Sequence, residues 1–241
     1  MFPELFRIGS LVIFSYGVTV AIGFLVATYW AYRKAASSSI PAGCIIDIAI
    51  LLMLFGILGA RLFYVLQFYQ EFSGDLWSIF NVRGGGLVFY GGFIFGMISL
   101  LLYTKRKKID LLDLLDLLAP AMLLGYAIGR LGCFLNGCCY GKECLYFWGV
   151  VFPGHSIPRH PTQIYASLII LIAFIFLAIK YPKRQYKGQV FSWGVLLYSV
   201  YRFFIEYMRV NPVYLGLTSA QWISLVMFIG GIIFFIKFRR K

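Results

Sequence analysis

The sequence predicts an all-α, polytopic membrane helix bundle of about seven transmembrane helices, and three observations lead there. Apolar types make up 61 % of the 241 residues and charged types only 13 %, with a mean hydropathy of +0.84. Soluble domains run nearer to about 45–50 % apolar and 25 % charged. Apolar runs recur at close to the roughly 20 residues that cross a ~30 Å hydrocarbon core. The basic residues gather at alternate ends of those runs. A disordered chain, a small disulfide scaffold and an ordinary soluble enzyme are excluded by composition alone.

The expected spans lie at about 11–32, 43–66, 86–104, 113–135, 162–180, 188–208 and 217–236. Pro3 and Glu4 precede a first run too long for a signal-peptide core, so that span is expected to be retained. Arg33 and Lys34 follow the first run, and Lys105, Arg106, Lys107 and Lys108 the third. Lys180, Lys183, Arg184 and Lys187 follow the fifth, and Lys237, Arg239, Arg240 and Lys241 the seventh. That places 14 of 22 basic residues on one side, opposite Glu4, Glu71, Asp75 and Glu143. The basic side is cytoplasmic by the positive-inside rule, so the N-terminus is expected outside and the C-terminus inside. The net charge of +13 then reads as orientation and contact with anionic lipid. Nucleic acid is not an expected partner, because the bases form juxtamembrane clusters rather than one patch. Asp110, Asp113 and Asp116 suit the start of a helix on the inner face. The whole chain, 1–241, reads as one integral membrane domain with a short outer segment at about 136–161.

The remaining basic residues are Arg7, Arg61, Arg83, Arg130, Lys142, Arg159, Arg202 and Arg209. An Arg at a helix centre costs roughly 2.5–3.5 kcal/mol on insertion scales, so those inside spans must pair, snorkel or face a polar cavity. Arg202 and Glu206 are four apart and share a helix face, and Arg209 stays near it. Guanidinium presents a planar fork to phosphate or carboxylate. Several Arg near the outer interface therefore point to an anionic lipid headgroup, the alternative being structural pairing or snorkelling.

Two glycine-rich stretches point the same way. Residues 83–96 open the third span irregularly, and such backbone at membrane depth needs protein or a water-filled cavity around it. Gly92 and Gly96 also suit close helix packing. Residues 129–141, GRLGCFLNGCCYG, close the fourth span with Arg130, Asn136 and a turn able to present N–H groups to an anion. Cys133, Cys138, Cys139 and Cys144 are spaced C-x4-C-C-x4-C. This is a poor match to paired zinc-binding units; small space-filling residues, a disulfide and a metal site all stay open, with no metal expected. No P-loop, dinucleotide fingerprint or Ser/His/Asp arrangement is present.

With these residues in view, the chain resembles the prolipoprotein diacylglyceryl transferases over nearly its whole length. IFSYG around Tyr16, LGARLFYVL around Arg61, GGGLVFYGGFIFG, GRLGCFLNGCCYG, RHPTQIY, YRFFIEYMR and GLTSAQWISL look like family blocks, in order. The resemblance implies seven spans with the N-terminus outside. It implies transfer of the diacylglyceryl group of phosphatidylglycerol to the lipobox Cys thiol of a prolipoprotein signal peptide, releasing glycerol phosphate. Arg130 and Arg202 match arginines essential to the family, and Tyr16, Arg61, Asn136, Gly141 and Glu206 fall on family positions. Tyr90 stands where the family usually has His, Cys133 where it has Asn, Cys138 where it has Glu, and Ala166 where an acidic residue is common. The segment 142–158 is short beside many members. These departures bear on proton transfer rather than on the phosphate site.

The expected catalytic residues are thus Arg130, Arg202 and Tyr90, with Tyr16, Arg61, Asn136, Gly141, Glu206 and Arg209 binding substrate. A thiol must ionise to attack, and fixed guanidinium groups stabilise the charge that grows on the departing phosphate. No cofactor is required. The protein is expected as a multi-pass monomer in the bacterial inner membrane. The competing readings are a related lipid transferase with another acceptor, and a non-catalytic membrane protein that binds anionic lipid.

Overall fold

The computed structural model describes residues 1–9, 11–36, 38–72, 74–80 and 85–239; Arg83, Arg240 and Lys241 lie outside them. Among the described residues seven α-helices carry the chain: α1 (Ser15–Ala35), α2 (Ala42–Gln67), α3 (Phe89–Lys107), α4 (Leu111–Leu135), α5 (Thr162–Lys180), α6 (Gln189–Ile205) and α7 (Ser219–Arg239). By length and composition α2, α4, α5 with the turn that follows it, and α7 can cross a membrane. The protein is predominantly helical, as expected.

It is not wholly α. Strands β1 (Glu4–Ile8) and β2 (Leu11–Phe14) form an antiparallel hairpin, as do β3 (Val213–Tyr214) and β4 (Leu217–Thr218). Gly9 at φ +58° opens the first connection. Leu215 (φ +52°) and Gly216 (φ +84°) make the second a turn of the kind that suits a two-residue hairpin. The run expected as helix from 11 is therefore strand until Ser15, whose N–H donates to the Pro3 carbonyl at 2.9 Å and whose hydroxyl donates to the Phe2 carbonyl. The third run reads from 86, yet α3 starts at Phe89, because Gly85 (φ +90°) and Gly86 (φ +73°) are left-handed. The sixth run ends as a helix at Ile205 and tightens into a 3₁₀ turn over Glu206–Met208.

The chain divides into two compact units, residues 1–31 with 112–241, and residues 32–111. In the first unit α1 and α4 meet through small residues. A Cβ on Gly23 would stand 2.9 Å from the Gly125 carbonyl oxygen, and one on Gly132 would stand 2.9 Å from Thr19 Cβ. Such contacts let membrane helices approach backbone to backbone. At the other end of α4, Arg184 pairs with Asp113 and lies 3.6 Å from Asp116. Asp116 accepts N–H bonds from Gly188 and Phe191, both at 2.8 Å, and so caps α6 rather than its own helix. Thr218 and Gln221 bond reciprocally, N–H to side-chain oxygen, at 2.9 and 3.3 Å. This capping box fixes the start of α7.

The second unit is built on α2 against α3. A Cβ on Gly59 would stand 2.5 Å from the Gly91 carbonyl oxygen, and one on Gly92 would stand 2.8 Å from that of Gly56. Gly96 faces Leu52 across the same seam. The expected packing role of Gly92 and Gly96 is what the helices use.

Candidate active site

The C-terminus of α4 is the centre of the site in the first unit. The helix ends in a Schellman turn: Gly137, at φ +72°, donates to the Phe134 carbonyl at 3.0 Å, and Cys138 donates to that of Cys133 at 3.1 Å. Cys139 is also left-handed, at φ +66°, a conformation a non-glycine residue keeps only where its surroundings hold it. The N-terminus of α5 supplies that hold. Gln163 Nε2 donates to the Cys138 carbonyl at 2.6 Å and Thr162 Oγ1 to the Cys139 carbonyl at 2.9 Å. Hydrogen bonds from Cys133 and Cys138, with the positive charge of Arg209 and Arg130, bring the Cys139 thiol down to about 5.

Beyond this turn the chain folds into a small head. Gly141 donates to the His160 carbonyl at 2.9 Å, and Lys142 to that of Met208 at 2.7 Å. A Cβ on Gly141 would stand 2.8 Å from Thr162 Cγ2 and 2.9 Å from His160 Cβ, so the position needs glycine for close approach rather than for its torsions. Arg159 and Val150 exchange backbone hydrogen bonds at 2.9 and 3.0 Å. Phe152 and Cys144 are buried, and His155 meets the Tyr140 hydroxyl at 2.5 Å.

The arginines are held from two sides. Arg130, on the last turns of α4, donates to the Tyr126 hydroxyl one turn earlier and lies over that ring, 4.7 Å from its centre. The Tyr126 and Tyr201 hydroxyls are 3.3 Å apart, and Tyr198 lies within electrostatic reach of both Arg130 and Arg202. Among the described residues no carboxylate lies within ion-pair distance of Arg130. Arg202 does pair, through Nη1 to Glu206 Oε2 at 2.5 Å, while Glu206 Oε1 accepts from Asn211 Nδ2 at 2.5 Å. Glu206 is buried, so its charge has an orienting rather than a solvating role. The Arg209 Nε is buried without a hydrogen-bond partner among the described residues, and a buried donor of that kind is costly until an acceptor meets it. Tyr16, at the start of α1, lies within electrostatic reach of Arg130 and the three thiols. Asn136 is within hydrogen-bonding reach of the Cys138 thiol.

Beside Tyr201, α5 and α6 leave an apolar groove of about 530 Å³ lined by Ile169, Phe176, Leu197, Val200, Tyr201 and Met208. Its lining is apolar apart from the Tyr201 hydroxyl, which suits a hydrocarbon chain.

Arg61 and Tyr90 belong to the second unit. Arg61 is extensively occupied: Nε donates to Ile79 O at 2.8 Å, Nη2 to Ser78 O at 2.7 Å, and Nη1 to Gly85 O and Gly86 O, each at 3.2 Å. Those four bonds use four of its five N–H groups, and they brace the irregular glycine segment that precedes α3. Tyr90 is exposed on the first turn of α3, beside Phe89.

Sequence reasoning passed over Tyr126, Tyr201, Thr162 and Gln163. The spacing of Tyr126 and Arg130, four apart on one helix, carries the signal for the first pair of groups. The clamp of α5 on the cysteine turn joins residues about 25 apart, and no local pattern announces it.

Apolar helices of spanning length, with Arg130 oriented by Tyr126, Arg202 by Glu206 and an apolar groove beside Tyr201, define a helical membrane protein. Comparison with known proteins narrows that class. The family model described as prolipoprotein diacylglyceryl transferase matches residues 3–237. The chain is 34 % identical to the phosphatidylglycerol–prolipoprotein diacylglyceryl transferase of Finegoldia magna over 98 % of this chain and 95 % of that protein. It is 37 % identical to the protein of that name from Clostridioides difficile, over 94 % of this chain and 91 % of the relative. The Clostridium tetani protein of that name is also 37 % identical, over 98 % and 97 %. The chain belongs to the prolipoprotein diacylglyceryl transferase family.

Proposed function

We propose that this protein transfers the diacylglyceryl group of phosphatidylglycerol to the lipobox cysteine thiol of prolipoprotein signal peptides. The observation that carries the reading is the family match, which runs over residues 3–237. In the reaction a carbon–sulfur bond forms at the glycerol carbon, and the bond from that carbon to the phosphate oxygen breaks with its electron pair. Glycerol phosphate leaves, and the thiol proton passes to a nearby base or to the leaving phosphate.

Arg130 and Arg202 hold the phosphate and meet the charge that develops as it departs, with Arg209 Nε as a further donor. Preorganised donors aimed at developing charge are usually the largest single contribution to catalysis. Tyr126 and Glu206 set the two forks, since a bidentate pair has geometry as well as charge. The groove between α5 and α6 takes an acyl chain. Tyr16, Asn136 and Gly141 shape the headgroup end. Tyr90, standing where relatives of this family carry His, is the candidate proton-transfer group by the resemblance. Arg61 acts on binding through the glycine segment it braces.

The same reading makes the protein a multi-pass monomer of the bacterial inner membrane, one integral domain with seven spans, its N-terminus outside and its C-terminus cytoplasmic. The clustered bases support that orientation. The segment 136–161 then lies outside, where lipoprotein precursors emerge. Complementation tests the function: expression in a bacterium depleted of its own diacylglyceryl transferase should restore growth and lipid-modified lipoproteins. Accumulation of unmodified precursors despite normal expression would overturn it.

A further inference from the structure

We propose that Cys133, Cys138 and Cys139 bind one thiophilic metal ion of the zinc type at the end of α4. The reaction above uses no sulfur of the protein, since the acceptor peptide supplies its own, so the three thiols need another explanation. Their sulfur atoms all lie within 4.8 Å of one another. Zinc–sulfur bonds of about 2.3 Å in a tetrahedral site place sulfurs roughly 3.8 Å apart, so closing on a cation asks for movement of about 1 Å at most.

The convergence is a product of backbone geometry. In a Schellman turn the residue two beyond the helix cap folds back on the residue three before it, usually with an apolar contact between the two side chains. Here those two residues are Cys138 and Cys133, joined by the 3.1 Å backbone bond. Cys139 then turns left-handed and brings a third sulfur to the same point. Thr162 and Gln163 hold the carbonyls of both adjacent cysteines, so the arrangement does not depend on the thiols themselves. A disulfide would use two sulfurs and leave one over; a soft cation uses all three. Cys144, which makes the sequence spacing look unlike a zinc site, is buried and is not among the converging groups.

Each sulfur binds as thiolate, so whatever proton a thiol still carries is released to solvent as three sulfur–metal bonds form, with no change of oxidation state. A dication with three thiolates carries a net charge of −1. Arg130, three residues before Cys133 on the same helix, and Arg209 stand close enough to balance it. A fourth position is left for water or for the Asn136 side chain, which already reaches the Cys138 thiol.

The test uses the full chain, purified in detergent under reducing conditions and titrated with Cd²⁺, whose bonds to thiolate give a near-ultraviolet charge-transfer band. One equivalent per chain should saturate the band, and a chain first loaded with Zn²⁺ should give the same band with the release of one equivalent of Zn²⁺, since the softer cation displaces the harder one from thiolates. Cys133→Ser, Cys138→Ser and Cys139→Ser should each weaken binding more than about tenfold, the scale on which even outer partners of metal ligands act. Cys44→Ser and Cys144→Ser should not. The wild-type protein gives a second readout that does not depend on variants folding. Zn²⁺ should protect the peptide carrying Cys133, Cys138 and Cys139 from maleimide while Cys44 still reacts. No band at stoichiometric Cd²⁺, a band that survives Cys139→Ser, or maleimide labelling unchanged by Zn²⁺ would overturn the proposal.

Discussion

The hydroxyls of Tyr126 and Tyr201 lie 3.3 Å apart, joining the helix that carries Arg130 to the helix that carries Arg202. Tyr126 also accepts from Arg130, so one phenol sets the direction of the α4 guanidinium and ties it to α6. Neither tyrosine touches the reacting atoms in this account; both are positioning residues.

Tyr126→Phe should therefore act on turnover. A hydrogen bond to a charged group contributes roughly 1.5–3 kcal/mol, and each 1.36 kcal/mol is tenfold in rate. The expected result is a fall in kcat of about 10- to 100-fold, with a smaller change in KM for phosphatidylglycerol and little change in melting temperature. A purely structural tyrosine would instead lower the melting temperature and leave the kcat of the surviving protein near wild type.

Gly141→Ala should destabilise the head. Its new Cβ would be driven against Thr162 and His160, and overpacking of this kind costs about 1–3 kcal/mol. Thermal unfolding in detergent is the measurement. Gly129→Ala is the comparison: a Cβ there meets nothing within 4 Å, so no loss of stability is expected.

Removing Arg184 should cost stability away from the site. Asp113 and Asp116 have side chains only 3 % and 0 % exposed, and stripping a buried carboxylate of its cation costs roughly 3 kcal/mol or more. Arg184→Ala should lower the melting temperature, while the KM of the folded fraction stays at the wild-type value. A melting temperature unchanged by the substitution would mean that water already solvates the pair.

Reporter fusions test the orientation. Fusions after Lys108 and Lys187 should read cytoplasmic, and one after Phe72 external. Opposite readings at two of the three would reverse the topology drawn from the basic clusters.

Features with a local period were legible in the sequence. Arg202 and Glu206, four apart, do pair, and Gly92 does pack helix on helix, because both relations are fixed by helical spacing alone. The positive-φ pairs Gly85–Gly86 and Leu215–Gly216 ended regular structure by their torsions, which a hydropathy window does not register. The meeting of three cysteines needed a Schellman turn and a clamp from α5, and the engagement of Arg61 needed carbonyls 17 to 25 residues away. Neither relation has a period, so residue type and spacing alone left ligand binding and structural pairing both open for Arg61, and its bonds to four backbone carbonyls were not legible.

In the proposed reaction Arg130 and Arg202 hold the departing phosphate through the geometry of their forks. The most direct measurement is diacylglyceryl transfer from phosphatidylglycerol to a lipobox peptide by Arg130→Lys and Arg202→Lys, with folding verified for each. An ammonium keeps the charge and loses the two-pronged geometry, and losing one preorganised donor typically costs about 10²–10³ in turnover. Both variants should fall by that order, while Lys107→Ala, in the basic cluster that ends α3, stays near wild type. Folded Lys variants that transfer at near wild-type rates would contradict the account and make the two arginines structural.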